Sequence, residues 1–234
     1  MEIKEKVVVI TGASLGIGLA TARRFAREGA KLALVARTTH LLETLAAELR
    51  AQGIEALAIT ADLRDPEQIH RALAEAAGHF GRIDILINNA GQAAAGTVAD
   101  LSLDDFQQII ALNVYGPLVA MQAVIPLMRV QGGGIIMNVS SMVSKMHIPA
   151  LGAYAATKSA LNMLSDTARV ELAGENIRVI SVFPRLTSTD FGKHSLGNSE
   201  VRRRQRENAP AIPSDTPEHV ADKIYAAAVN EPRQ

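Results

Sequence analysis

Apolar residues in this chain fall into short continuous runs, separated by longer stretches in which they recur every three or four positions. The runs are Lys6–Thr11, Lys31–Ala36, Ala56–Thr60, Ile83–Asn88, Gly134–Ser140 and Arg178–Phe183. Continuous apolar runs are what strands buried on both faces require. Helical spacing covers about Gly16–Glu28, His40–Gln52, Pro66–Phe80, Ser102–Arg129, Tyr154–Leu172 and Pro217–Val229. This alternation predicts an α/β fold: one doubly wound parallel sheet of six strands, with right-handed crossovers and helices on both faces. There is no internal repeat and no low-complexity linker, so residues 1–234 read as a single domain.

Two segments depart from the rhythm. Gly132-Gly133-Gly134 turns a long helix into the next strand, where glycine allows unusual backbone angles. The stretch of about 185–216 shows no clear strand, and a connection this long in a compact domain is more often a functional lid than slack. Within it, Ser199–Asn208 has the spacing of a short helix, and Arg202-Arg203-Arg204-Gln205-Arg206 forms the main basic cluster.

Composition narrows the field. The 234 residues are 48% hydrophobic, enough to bury a sizeable core, and Lys+Arg and Asp+Glu both count 24. A neutral balance gives no pull toward nucleic acid or an anionic membrane, and 3% aromatics without Trp argue against a base-stacking platform. No apolar run approaches the roughly 18 residues needed to span a bilayer. Zero cysteines exclude disulfides and thiolate chemistry, which suits a cytoplasmic protein. No His/Asp/Glu cluster has metal-ligand spacing.

The first run is followed by Thr11-Gly12-Ala13-Ser14-Leu15-Gly16-Ile17-Gly18, which opens the first helix. Glycines there let the backbone approach a pyrophosphate, and the helix N-terminus supplies amide donors and a positive dipole. A Gly-Lys-Ser/Thr is absent from this run, so an ATPase loop is excluded. After the second run comes Arg37, with no acid at position 36; a guanidinium suits a ribose 2′-phosphate, while a solvated surface Arg is the plain alternative. Tyr154 and Lys158 stand one helical turn apart. A phenol beside a fixed cation is an acid/base device, because the cation favours the phenolate.

In this order the residues resemble the short-chain dehydrogenase/reductase family, in its Gly-x-x-x-Gly-x-Gly branch with a Rossmann-like fold. The likeness covers nearly the whole chain: Thr11–Gly18, Asp62-Leu63, Asn88-Asn89-Ala90-Gly91, Asn113, Ser140-Ser141 and Tyr154-x-x-x-Lys158. It implies that Tyr154 is the general acid in carbonyl reduction and that Lys158 binds the nicotinamide ribose and favours the phenolate. Ser141 would hydrogen-bond the reacting oxygen, chosen over Ser140 by its separation from Tyr154. Asn113 would hold a water next to Lys158. Gly12, Ser14, Gly16, Ile17 and Gly18 would cradle the dinucleotide, Asp62 and Leu63 would meet the adenine, and Asn89, Ala90 and Gly91 would line the cleft. Arg37 matches the pattern that prefers NADP, with NAD the alternative. Pro184, Arg185, Thr187 and Thr189 would border the nicotinamide, with either threonine placed to meet its carboxamide.

The chain departs from the family in two places. Arg185 stands where the family has a glycine, either as a cation reaching cofactor or substrate or as a tolerated substitution facing solvent. The stretch Ala226–Gln234 ends the chain where the usual seventh strand would begin. The resemblance implies an NADP(H)-dependent ketone reductase acting on a small carbonyl or alcohol, assembled as a homodimer or homotetramer. The alternatives are an NAD-dependent alcohol dehydrogenase and a dinucleotide sensor without turnover. Ala93, Ala94, Met142, Val143, Ile148, Phe183 and the stretch Phe191–Leu196 are the expected pocket, mainly apolar.

Overall fold

The computed structural model describes residues 2–197 and 214–230. In chain order the strands are β1 (Val7–Thr11), β2 (Lys31–Ala36), β3 (Ala56–Thr60), β4 (Ile85–Asn88), β5 (Ala94–Ala95), β6 (Gly134–Val139), β7 (Ile177–Val182) and β8 (Leu196–Gly197). The α-helices are α1 (Gly16–Ala26), α2 (Thr39–Ala51), α3 (Pro66–Phe80), α4 (Leu103–Ile110), α5 (Gly116–Val130), α6 (Gly152–Glu171) and α7 (Pro217–Asn230). Six strands form one parallel sheet in the order β3-β2-β1-β4-β6-β7. The order reverses between β1 and β4, so a crevice opens at their carboxyl ends.

Each strand feeds two cores in alternation. Val8, Ile10, Leu32, Leu34, Ile85, Ile87, Ile135 and Met137 pack against α1, α2 and α7. The residues between them, Val9, Ala33, Val35, Leu86 and Ile136, pack with Val179 against α3, α5 and α6. This two-sided burial is why the strands read as unbroken apolar runs. β4 starts two residues later than its apolar run because Asp84 uses its buried carboxylate to accept the Val7 amide at 2.9 Å.

Three features differ from the sequence expectation. The long helix over Ser102–Arg129 is two α-helices joined by a π turn, Ala111–Tyr115. The turn lies where the rod closes on the Leu63 loop: a Cβ at Gly116 would stand 2.6 Å from the Leu63 carbonyl oxygen. By length and composition Leu103–Val130 can cross a bilayer, contrary to the apolar-run reading. Its buried residues instead belong to the core that faces the sheet. The lid stretch also contains a two-residue strand, since β8 pairs with β5 in a parallel ladder, Ala94 with Leu196 and Ala95 with Gly197. A ladder this short leaves no periodic pattern to read. The expected Ser199–Asn208 helix, the basic cluster and the end of the chain at 231–234 lie outside the described residues.

Of the three consecutive glycines, Gly132 and Gly133 adopt φ of +84° and +135°, whereas Gly134 is pressed against Met128. A Cβ at Gly133 would lie 2.4 Å from both the Asn176 carbonyl oxygen and its amide nitrogen. Gly133→Ala is therefore expected to destabilise the fold by about 2 kcal/mol or more. A lower urea midpoint at unchanged m-value checks this; an unchanged midpoint would show that the turn relaxes freely.

Candidate active site

The crevice is lined first by the β1–α1 loop. Gly12 and Gly16 hold φ of +67° and +55°, the left-handed region open to glycine. A Cβ at Gly18 would stand 2.1 Å from the Gly12 carbonyl oxygen, and one at Gly12 would stand 2.9 Å from the Ala90 Cα. The Asn89 side-chain amide donates to the carbonyls of Thr11 (2.9 Å) and Gly12 (3.2 Å), pinning the β1 loop to the β4 loop. The Thr11 hydroxyl in turn accepts the amides of Asn89 and Ala90. α3 and α4 are capped by the side chains of Asp65 and Ser102, but α1 opens without a side-chain cap. Its first-turn amides are thus left for a ligand, beside Ser14. Ile17 packs against the core below and fixes the helix start. A side-chain-free cradle at an uncapped helix N-terminus fits a pyrophosphate.

At the far end of the cradle, Arg37 is exposed at the end of β2. Leu63 is buried. Asp62 is gripped by Arg64, whose Nη2 lies 2.6 Å from Oδ2 and whose Nε lies 3.1 Å from both oxygens. The Arg64 hydrogen bonds hold the Asp62 carboxyl below the usual carboxylate range against the opposing effect of burial, and Arg37 adds to the lowering.

The other end of the crevice is built by α6. Tyr154, Thr157, Lys158 and Leu161 share its buried face. Burial pushes the Tyr154 phenol up to about 12, opposed by a hydrogen bond with Ser141. Burial likewise pushes the Lys158 ammonium down to about 8. Its Nζ donates to the Val139 carbonyl at 2.8 Å and lies 5.9 Å from the centre of the Tyr154 ring. The balance of forces here differs from the sequence expectation: in this structure desolvation, not the neighbouring cation, sets the state of the phenol. A Cβ at Gly91 would stand 3.4 Å from Lys158 Nζ, so glycine keeps the space before the ammonium open.

Ser141 caps a 3-10 turn, Met142–Lys145, and accepts the Val143 amide at 3.2 Å. Ser140 instead donates to Asn162, which donates to Ser144, whose hydroxyl reaches the Ser141 carbonyl at 2.7 Å. Both hydrogens of the Asn113 side-chain amide are engaged. Its Oδ1 accepts the Gln92 amide at 2.9 Å, and its Nδ2 donates to the Gln92 carbonyl at 2.8 Å and to Thr157 at 3.0 Å. Thr157 passes the link on to the Tyr154 carbonyl at 2.8 Å. The Asn113 amide is therefore a brace between the β4 loop and α6, with no donor to spare for a water.

Residues 184–197 close over the cleft. The Pro184 carbonyl accepts the Met142 amide at 3.0 Å. Thr187 donates to the Arg185 carbonyl, whereas the Thr189 side chain lies against Gly16, where an added Cβ would meet it at 3.3 Å. The Phe191 ring sits 5.6 Å from the Tyr154 ring, and the Gln92 amide donates to the His194 carbonyl at 2.6 Å. Arg185 is exposed, and its φ is not positive, so replacing glycine there causes no backbone strain.

A family model described as short chain dehydrogenase matches residues 6–199. The chain belongs to the short-chain dehydrogenase family. It is similar to the 2-(R)-hydroxypropyl-CoM dehydrogenase of Xanthobacter autotrophicus, 33% identical over 227 residues that cover 95% of this chain and 91% of that protein. Among solved structures it resembles a short-chain dehydrogenase/reductase from Burkholderia phymatum in complex with NAD, with a TM-score of 0.89, 26% identity and coverage of 97% and 86%. It also resembles an alcohol dehydrogenase from Thermococcus sibiricus complexed with 5-hydroxy-NADP, with a TM-score of 0.85, 30% identity and coverage of 99% and 93%. As a member of this short-chain dehydrogenase family, the protein is an oxidoreductase acting on CH–OH or C=O groups.

Sequence reasoning passed over Arg64, Gln92, Thr157 and Asn162. Thr157 and Asn162 were findable, since they share a helical face with Tyr154 and Lys158; Arg64 and Gln92 act across loops and leave no periodic trace. The buried Lys158 yields a stability prediction. Its folded value lies below its unfolded one, so the charge penalty applies in full below about pH 8 and fades as pH rises toward 10.5. Lys158→Met is expected to stabilise the ligand-free protein at pH 7 by about 2 kcal/mol, about 5 °C in Tm, with the gain vanishing near pH 10.5. Thermal melts across that range check it, and an equal or lower Tm at pH 7 would contradict the penalty.

Proposed function

We propose that the protein is an NADP(H)-dependent ketone reductase, transferring hydride between a nicotinamide and a carbonyl or secondary alcohol. The observation that carries this reading is the buried Tyr154 phenol, bonded to Ser141 and one turn from Lys158, at the open end of a side-chain-free phosphate cradle. The bound dinucleotide supplies the hydride. Gly12, Ser14, Gly16, Ile17 and Gly18 would hold its pyrophosphate. Asp62 and Leu63 would border the adenine, and Asn89, Ala90 and Gly91 would border the cleft. The Lys158 ammonium, with one bond made to Val139, has donors left for a ribose hydroxyl.

Tyr154 would donate its proton to the carbonyl oxygen as negative charge develops there, with Ser141 as the second donor. A phenol raised to about 12 stays protonated throughout the physiological range, which suits proton donation, hence reduction. Since the Asn113 side chain is engaged, a water beside Lys158 would take its bond from the main chain; the π turn at Asn113 supplies a carbonyl without its usual i+4 donor. Thr189, against Gly16, is better placed than Thr187 to meet a carboxamide. Arg37 makes no ion pair among the described residues and would meet a 2′-phosphate. Ala93, Ala94 and the Phe191 ring favour an apolar substrate. A second reading, NAD-dependent alcohol oxidation, draws on the structural relative that holds NAD.

Assembly as a homo-oligomer, dimer or tetramer, is supported by apolar side chains left exposed on the π turn, α5 and α6: Tyr115, Val130, Met163 and Val170. Met163→Glu with Val170→Glu is expected to give a monomer by light scattering; an unchanged mass would move the interface elsewhere.

Tyr154→Phe is expected to lower kcat by about 10³-fold in NADPH-dependent reduction of a ketone panel. NADPH affinity, read by fluorescence titration, should stay within about twofold, because the phenol acts on the reacting oxygen. Retained turnover would refute the assigned acid. Tighter binding of NADH than of NADPH by the wild type would favour the second reading.

A further inference from the structure

The adenosine end of the cleft contains a feature that the catalytic reading does not use. Asp62 follows β3, and Arg64 folds back on it with a main-chain amide bond at 3.0 Å and three guanidinium contacts between 2.6 and 3.1 Å. The clamp is held from both sides: Arg64 Nη1 donates to Gln108 of α4 at 3.2 Å, and Gln68 of α3 accepts the Asp62 amide at 2.9 Å. Asp65, the next carboxylate along, is turned away to cap α3. Arg37 stands near enough to Asp62 to act on its carboxylate. Three charges therefore share this end of the cleft, two cations and one carboxylate.

We propose that Arg64 is a specificity-determining residue for the dinucleotide: by pairing with the Asp62 carboxylate it weakens that carboxylate's opposition to Arg37 and makes the pocket accept a 2′-phosphorylated ribose. The proposal rests on the reading that Arg37 meets that phosphate. Unpaired, Asp62 would offset Arg37 and repel a phosphate dianion on the neighbouring ribose. At a separation of several ångströms in a partly solvated site, one carboxylate against such a group changes affinity by about tenfold. The effect belongs to the 2′-phosphate alone, since the adenine and the 5′-phosphate are common to both nucleotides.

Calorimetric titration with 2′,5′-ADP and with 5′-AMP tests this without turnover. Arg64→Leu is expected to reduce the preference for 2′,5′-ADP by about tenfold at low salt and by much less at about 0.5 M salt. Adding Asp62→Asn to Arg64→Leu is expected to restore the preference to within about twofold of wild type. If Arg64→Leu folds poorly, Arg64→Gln keeps the side-chain bulk and carries the same expectation. An unchanged preference in the Arg64 variant, or no restoration by Asp62→Asn, would overturn the proposal. Arg37→Ala reads the underlying assumption separately: an unchanged preference there would overturn the NADP(H) reading, while the Arg64 comparison still reports on the carboxylate.

Discussion

The Lys158 ammonium is buried on α6 with the Val139 carbonyl as its hydrogen-bond partner at 2.8 Å, and burial alone accounts for its lowered affinity for a proton. A cation in this position is costly to the free fold, and its surroundings are arranged to keep it there. Leu161 and the rest of the buried face of α6 anchor the helix. Asn113 and Thr157 tie that helix to the β4 loop, so that Gly91 comes to lie against the ammonium with no Cβ between them. Tyr154, one turn earlier, is carried into the same dry region and shares its consequence: both groups are pushed toward their neutral forms by desolvation. A ligand that offers hydroxyl oxygens and displaces none of these contacts relieves the penalty on the cation, which couples binding to stability.

That coupling explains the distribution of order around the cleft. The walls are braced by side-chain bonds to main-chain atoms, Asn89 to Thr11 and Gly12, Asn113 to Gln92, Asn162 through Ser144 to Ser141. Each brace places a polar group without placing a charge. The floor of the cradle is bare backbone, and the roof is residues 184–197, stitched to the β4 loop by Gln92 and the two-residue ladder of β5 and β8.

Much of this was legible in the sequence because the sheet is buried on both faces: Val8, Val9 and Ile10 had to be apolar whichever way each points, so β1 shows as a continuous run. The glycine loop and the Tyr154–Lys158 spacing were legible for a related reason, since each is a local pattern set by one turn of backbone. What escaped was everything that depends on contacts across loops. The π turn at Ala111–Tyr115 brings Gly116 against Leu63, a contact across a loop that no spacing within the helix reports. Asn113 was readable as a residue of the site but not as a brace, because its partners at Gln92 and Thr157 lie 21 and 44 positions away. Arg64 sits two residues from Asp62 and resembles an ordinary loop cation until its guanidinium is seen closed on the carboxylate.

Arg185 shows how a departure from the family pattern is absorbed. A glycine at such a position gives freedom of φ, but this backbone does not take a positive φ there, so the larger residue is sterically allowed. Asp215 pairs with Lys223 at 3.0 Å and is further lowered by His219 and Arg185, while its main chain bridges to Leu186 and Ser188. The segment leading into α7 is thereby fastened to the segment leaving β7 by two main-chain bonds and an electrostatic contact. Arg185 is thus close enough to act on Asp215 at the base of the roof, while Phe191 lies against Tyr154 and Thr189 against Gly16.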